Sequence, residues 1–175
     1  LWAALDSSWD LLAPWEQDAL AQCAAFRGGF AVEVAEEVID LSGSSKAPWV
    51  LDVLENLVDH SLLVMGANSH GTGRISLLMS VLEYASEKLE ERGQAIVDAV
   101  HRRHFNYYAQ FGTDDYLASL DQHGGARRRA RLQLDMDNLM VACDRAVGAG
   151  QKEEAAQICR AAVAIMERRG PFGPG

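Results

Sequence analysis

The chain has 175 residues, room for one medium domain or two small ones. Its 49% hydrophobic content is enough for a packed core and excludes disorder by composition. With 16 Lys plus Arg against 25 Asp plus Glu, the formal charge is −9, which argues against a general binder of nucleic acid or of anionic membrane.

The charge is uneven. Residues 1–100 carry 16 acids and 5 bases, and residues 101–175 carry 9 acids and 11 bases, so we expect two modules, the first acidic. Three cysteines, Cys23, Cys143 and Cys159, are too few for a disulfide framework and none lies in a CxxC pair. They read as buried thiols in a reducing compartment, hence a cytoplasmic location. No apolar run reaches the roughly 18–20 residues of a membrane helix, and we expect no signal peptide. An opening Leu1 and a closing Gly-Pro-Phe-Gly-Pro-Gly lead us to expect a piece of a longer protein.

Helical periodicity dominates. A first helix is expected at about Ser8–Leu12. Pro14 suits a helix N-terminus, and Trp15, Ala19, Leu20, Cys23 and Phe26 fall at helical spacing up to the terminating Gly28-Gly29. Phe30, Val34, Ala35, Val38 and Ile39 form a second short amphipathic stretch, and Leu41–Ala47 a Ser/Gly loop. Val50, Val53, Leu54, Leu57, Val58 and Ser61 line one stripe of a third helix. The period then changes. Leu62–Met65 and Arg74–Leu78 read as strands of a β-hairpin around the turn-rich Gly66–Gly73. A long helix follows, with Val81, Tyr84, Ala85 and Leu89 inside and Glu83, Glu87, Lys88, Glu90 and Glu91 outside. Either Gly93 breaks it or it runs on to Phe111.

This order is that of a winged helix, a three-helix core with a two-stranded wing. After a polar stretch at Gly112–Asp115, weaker helix is expected near Tyr116–Leu120 and a break at Gly124-Gly125. Residues 130–147 and 151–169 read as two helices joined by Gly148-Ala149-Gly150. Leu132, Leu139, Ala142 and Ala146 would face Ala155, Ala156, Cys159, Ala162 and Val163. Such an αα-hairpin matches one unit of a tetratricopeptide-like array, which needs about three repeats for stability.

Candidate chemistry is sparse. No GxSxG is present, and Ser7-Ser8 and Ser44-Ser45 are expected in caps or loops. His101 and His104 stand one helical turn apart, but no HExxH pattern joins them and Arg102-Arg103 lie between. We read a solvated face, not a metal site. Gly66–Thr72 has the glycines of a phosphate loop but Thr72 where Lys is required, and it joins two strands, so it reads as a wing tip. The third helix carries Asp52, Glu55, Asp59 and His60 with no Lys or Arg, and the wing offers Arg74. That disfavours phosphate contact. Arg127-Arg128-Arg129 with Arg131 form the cationic cluster, read as a solvated first turn or a face salt-bridged to the acidic module. Of the early aromatics Trp2, Trp9, Trp15, Phe26, Phe30 and Trp49, most are expected in the core, with one or two facing a neighbouring domain.

Five stretches resemble one family. Leu5–Pro14 is similar to the L-x-x-S-[WY]-D-x-L entry into the helical region after the ATPase core of STAND-class (NB-ARC-like) signalling ATPases. Phe26–Phe30 resembles the F-x-G-G-F turn of bacterial members, the large ATP-dependent transcriptional regulators. Leu54–Leu63 resembles their L-x-x-L-V-x-x-S-L-[LV]. Leu77–Ala85 resembles L-L-E-T-[IV]-R-E-Y-A, and Leu134–Ala142 the E-x-D-N-[LF]-x-x-A that opens the following repeats. The five occur in order and cover most of the chain.

The resemblance implies a winged-helix lid on an upstream ATPase core and the start of a tetratricopeptide-like sensor, with the P-loop, metal-binding acid and sensor arginine upstream of Leu1. Two departures matter. Leu77, Leu78 and Met79 replace the Met-His-Asp motif whose His touches the nucleotide, and Met79-Ser80 replace Glu-Thr.

We therefore assign no catalytic, cofactor-binding or metal-binding residue. The reading is a mainly α chain: a winged-helix domain at 1–111, a linker at 112–129 and the start of a helical repeat at 130–175. It would act as a non-catalytic regulatory and interaction segment of a bacterial signalling ATPase, with ATP or ADP implied for the parent only. Expected partners are the ATPase core, further repeats and, through the uncapped repeat end, a second copy. DNA contact is disfavoured and no membrane is involved. The alternative is a DNA-binding winged-helix transcription factor domain.

Overall fold

The computed structural model describes residues 2–67 and 73–168. The chain divides into two compact units, Leu1–Val100 and His101–Gly175. The fold is mainly α, a winged helix followed by helical-repeat-like packing.

Unit 1 opens with α1, Trp2–Asp10, not at Ser8. Ser7 and Ser8 lie inside this helix and not in a cap. Their hydroxyls donate to the carbonyls of Ala3 and Ala4, one turn back, at 2.9 and 3.1 Å. The helix α2 spans Pro14–Cys23 with Pro at its start, and the Glu16 carboxylate reaches back to accept from the N-cap Ala13 N–H at 2.8 Å. Gly28 and Gly29 then take left-handed φ of 69° and 86°, the conformation glycine tolerates best. A Cβ on Gly29 would come to 3.0 Å of the Ile75 carbonyl.

Phe30–Ala31 forms a strand, β1, before α3, Val32–Val38. The apolar spacing alone predicts one amphipathic stretch over Phe30, Val34, Ala35, Val38 and Ile39. Ile39 leads out, and the Gln22 side-chain amide pairs with both backbone groups of Asp40 at 2.8 Å. The helix α4, Val50–Asp59, buries Val53, Leu54 and Leu57. Ser61, with φ 59°, turns the chain into β2, Val64–Ala67, which pairs antiparallel with β3, Gly73–Ser76. Both strands fall within two residues or so of expectation, and the hairpin forms. The central part of its expected tip lies outside the described residues. The sheet order is β1-β3-β2, with Phe30 opposite Ile75.

The next helix, α5, spans Met79–Glu90 and buries Val81, Tyr84, Ala85 and Leu89 as expected. Gly93, φ 92°, ends it, which resolves the open alternative, and α6 runs over Gln94–Ala109. The core of unit 1 is centred on Leu20, Phe26, Phe30, Leu54, Leu57, Leu63 and Ile75. The Phe26 and Phe30 rings stack with centroids 4.0 Å apart. Tyr84 anchors α1: its hydroxyl donates to Asp6 at 2.9 Å, and the Trp2 and Trp9 rings lie 5.5 and 5.8 Å from its own.

In unit 2 a 3-10 turn, Gln110–Gly112, precedes α7, Asp114–Ser119, and α8, Gly125–Leu134. Helical structure thus occupies much of 112–129. Gly124, φ 77°, stands at the start of α8, as the break at Gly124-Gly125 anticipates. The helix expected over 130–147 is two. Asp135, φ −97° and ψ 12°, separates α8 from α9, Met136–Gly148. The helix α10 covers Lys152–Arg168.

Leu132, Leu139, Ala142 and Ala146 are buried as expected. On α10 the buried face is Ala155, Ile158, Ala161, Ala162, Ala164 and Ile165, whereas Ala156, Cys159 and Val163 are exposed. The sequence reading rotated that helix because small apolar residues surround it on nearly every side. Among the described residues, no helix is long and apolar enough to cross a membrane.

Candidate interaction face

The outward side of α4 and the described part of the wing carry the residues that a winged helix would use toward DNA or protein. Burial of Val53, Leu54 and Leu57 turns Leu51, Asp52, Glu55, Asn56 and Asp59 outward, all exposed. Asp52, Glu55 and Asp59 fall three and four residues apart, so they line one side of the helix. Trp49, at the helix N-cap, is 81% exposed. Val64 and Met65 on β2, and Leu78 and Met79 at the start of α5, are exposed as well. The outward side of α4 is therefore acidic, and large apolar side chains are exposed at its N-cap, on β2 and at the start of α5.

Arg74 is the sole Lys or Arg between Leu62 and Leu78. It sits on β3, opposite Ala31 and Gly66. Its guanidinium donates to the Gly29 carbonyl at 2.6 Å. The wing's cation thus supports the Gly28-Gly29 turn from inside the fold. A phosphate approaching this face would meet three carboxylates, a repulsive arrangement. Leu78 is the N-cap of α5 and 59% exposed, with no polar side-chain group to offer a ligand.

Several expectations need correction. Of the six early aromatics, Phe26 and Phe30 alone are fully buried. Trp9 and Trp15 are half-buried, and Trp2 and Trp49 are exposed. Amphipathic rings at the surface carry no periodic signal that would separate them from core. His104 is not on a solvated face: it is fully buried, with its ring 5.0 Å from that of Tyr108 and its Nδ1 3.3 Å from the Arg145 guanidinium. His101 is half-buried. Among the described residues, no group of three or more His, Cys, Asp or Glu is placed to hold a metal.

Arg127 is exposed at the start of α8, whereas the other three arginines of the cluster serve unit 2 itself. Arg128 donates to the Ser119 carbonyl at 2.7 Å and to the His123 carbonyl at 2.7 Å. Arg129 donates to the Leu120 carbonyl, and Arg131 to the Tyr107 hydroxyl at 2.9 Å. The carbonyls at Ser119 and Leu120 close α7, where cationic donors complement the helix end. Arg160 and Arg168 of α10 add ion pairs to Asp114 and Asp121. The guanidinium of Arg168 holds the Asp121 carboxyl below its ordinary range. Nor are the cysteines alike. Cys23 is buried, and burial pushes its thiol well above the usual range, but Cys143 is half-buried and Cys159 exposed.

No family model matches the chain, and no solved structure matches it. Among curated proteins it is similar to three named "Putative HTH-type transcriptional regulator", from Mycobacterium bovis and two strains of Mycobacterium tuberculosis. Each is 37% identical over 141 residues, which is 80% of this chain. The chain spans 15% of the length of these relatives.

Proposed function

We propose that this chain is a non-catalytic winged-helix and helical-repeat segment of a cytoplasmic bacterial transcriptional regulator, and that its winged helix binds protein, not DNA. In the parent, an upstream STAND-class ATPase core would bind ATP or ADP. The winged helix would pack on that core and pass its nucleotide state to the repeats as a shift between closed and open populations. The observation that carries the reading is the outward side of α4, with Asp52, Glu55 and Asp59 and no cation; in the wing, Arg74 is engaged on the Gly29 carbonyl. The names of the mycobacterial relatives support a regulator. Exposed Met140 and Val147 on α9, and Val163 and Met166 on α10, suit further repeats stacking on unit 2, or a second copy doing so.

The relatives' names also favour a second reading, in which the winged helix contacts DNA. Fluorescence anisotropy of a labelled duplex titrated with the chain separates the two. Our reading expects no binding up to roughly 10⁻⁴ M protein at physiological salt, the weak end of nonspecific DNA affinity. Affinity that falls steeply with salt, and is lost when Arg74 is replaced, would move the assignment to the DNA-binding domain.

A further inference from the structure

The αα-hairpin brings together two thiols that the proposed function does not use. Cys143 lies on α9 and Cys159 on α10, sixteen positions apart in the chain and equally far from Gln151 in the connecting turn. Their Sγ atoms are 3.0 Å apart. Small residues make the approach possible: Ala142, Ala146, Ala155 and Ala162 are all buried on these two helices. Cys143 is half-buried, and its Sγ lies 3.8 Å from the Ala155 carbonyl. Cys159 is exposed and lines a shallow surface cleft with Leu117, Arg160, Val163 and Arg168. A disulfide needs its sulfurs about 2.05 Å apart, so closure asks for a movement of about 1 Å between side chains already in contact.

We propose that Cys143 and Cys159 are a redox-responsive pair, oxidised by a peroxide to an intrachain disulfide that staples α9 to α10. The roles follow from exposure. Cys159, open to solvent, attacks the peroxide as its thiolate; an S–O bond forms, the O–O bond breaks and hydroxide leaves as water once protonated, giving a sulfenic acid. The Cys143 thiolate then attacks that sulfur. The S–S bond forms, the S–O bond breaks and a second water departs. The two thiols lose two electrons and two protons, and one hydrogen peroxide becomes two waters. Burial and the neighbouring Cys159 push the Cys143 thiol up to about 11, which suits a group that waits for an activated partner over one that meets the oxidant first. Thiols in a reducing compartment stay reduced by default, and a bridge formed there is transient and regulatory.

The test treats the reduced, folded protein with a small excess of hydrogen peroxide, quenches it, and maps disulfides by mass spectrometry. The expected result is a loss of two hydrogens from the intact chain and one linked peptide pair joining Cys143 to Cys159, reversed by dithiothreitol. Cys23 should remain alkylatable after unfolding. Cys143→Ser should stop the two-hydrogen loss and leave a sulfenic acid on Cys159 that a dimedone-type probe traps. Cys159→Ser should leave Cys143 largely unmodified. The proposal is overturned if the main product is a Cys159–Cys159 bridge between chains, if a bridge includes Cys23, or if Cys159 goes to the sulfinic acid with Cys143 still free.

Discussion

Replacing Gly112 with Ala should lower the stability of unit 2 by about 3 kcal/mol or more. Gly112 ends the 3-10 turn Gln110–Gly112 and is buried. A Cβ there would stand 2.6 Å from Gln157 Cα and closer still to the carbonyl of that residue. Gln157 is in the middle of α10, so the atoms that must yield are helix backbone and not the end of a mobile side chain. Two outcomes relieve the clash: α10 shifts, opening the layer around Ile158, or the turn beneath Phe111 unwinds. Either one loses packing that the core does not replace. Gly148→Ala is the control, because nothing lies within 4 Å of a Cβ at that helical position and Ala favours helix over Gly. Thermal unfolding by circular dichroism should show a large fall in midpoint for Gly112→Ala and none for Gly148→Ala. Peptide-resolved hydrogen exchange should place the loss of protection within residues 105–120 and 152–168. Equal midpoints for both variants would refute the close approach.

Phe30→Ala should cost about 3–5 kcal/mol in unit 1, the range for emptying a fully buried aromatic site. Phe30 is wholly buried, its ring is stacked on Phe26, and its backbone pairs with Ile75 in the short β1–β3 ladder. The substitution therefore removes the side chain under the wing and weakens the strand that holds β3. All four tryptophans lie in the first fifty residues, so their fluorescence reports unit 1. It should lose its native emission at a far lower denaturant concentration in this variant. Trp49→Ala, at an 81% exposed position, should shift the midpoint by no more than about 0.5 kcal/mol equivalent. A similar loss from both variants would contradict the placement of Phe30 in the core.

Much of unit 1 was legible because its residues agree at every level. Val53, Leu54 and Leu57 mark a single stripe, Gly28-Gly29 mark a turn that needs positive φ, and Val81, Tyr84, Ala85 and Leu89 mark one face of α5. The strand at Phe30–Ala31 was not legible, since two residues carry no period and only their pairing with Ile75 and Arg74 makes them a strand. In unit 2 the break at Asp135 was hidden by phase: Leu132 and Leu139 are both buried, so the apolar pattern runs straight across it. The face of α10 was misread because alanines surround it, while the two isoleucines, Ile158 and Ile165, held the correct register.

The candidate face on α4 was visible in its acidic residues alone, but the engagement of Arg74 on the Gly29 carbonyl needed three-dimensional neighbours. The Arg run does open α8, with Arg127 exposed, but the carbonyls that receive Arg128 and Arg129, like the buried site of His104, lay beyond a sequence that reports charge and not its neighbours. The Cys143–Cys159 contact had a signal that was missed, the equal distance of both residues from the hairpin turn.

Whether this segment belongs to a nucleotide switch is decided by the nucleotide content of the full-length parent protein. It is purified without added nucleotide and denatured, and the released small molecules are identified by chromatography. ADP is expected in stoichiometric amount, even with Leu77, Leu78 and Met79 where the resembled family has Met-His-Asp. No released nucleotide, together with a melting temperature that added ADP or ATP leaves unchanged, would contradict a nucleotide-switched regulator.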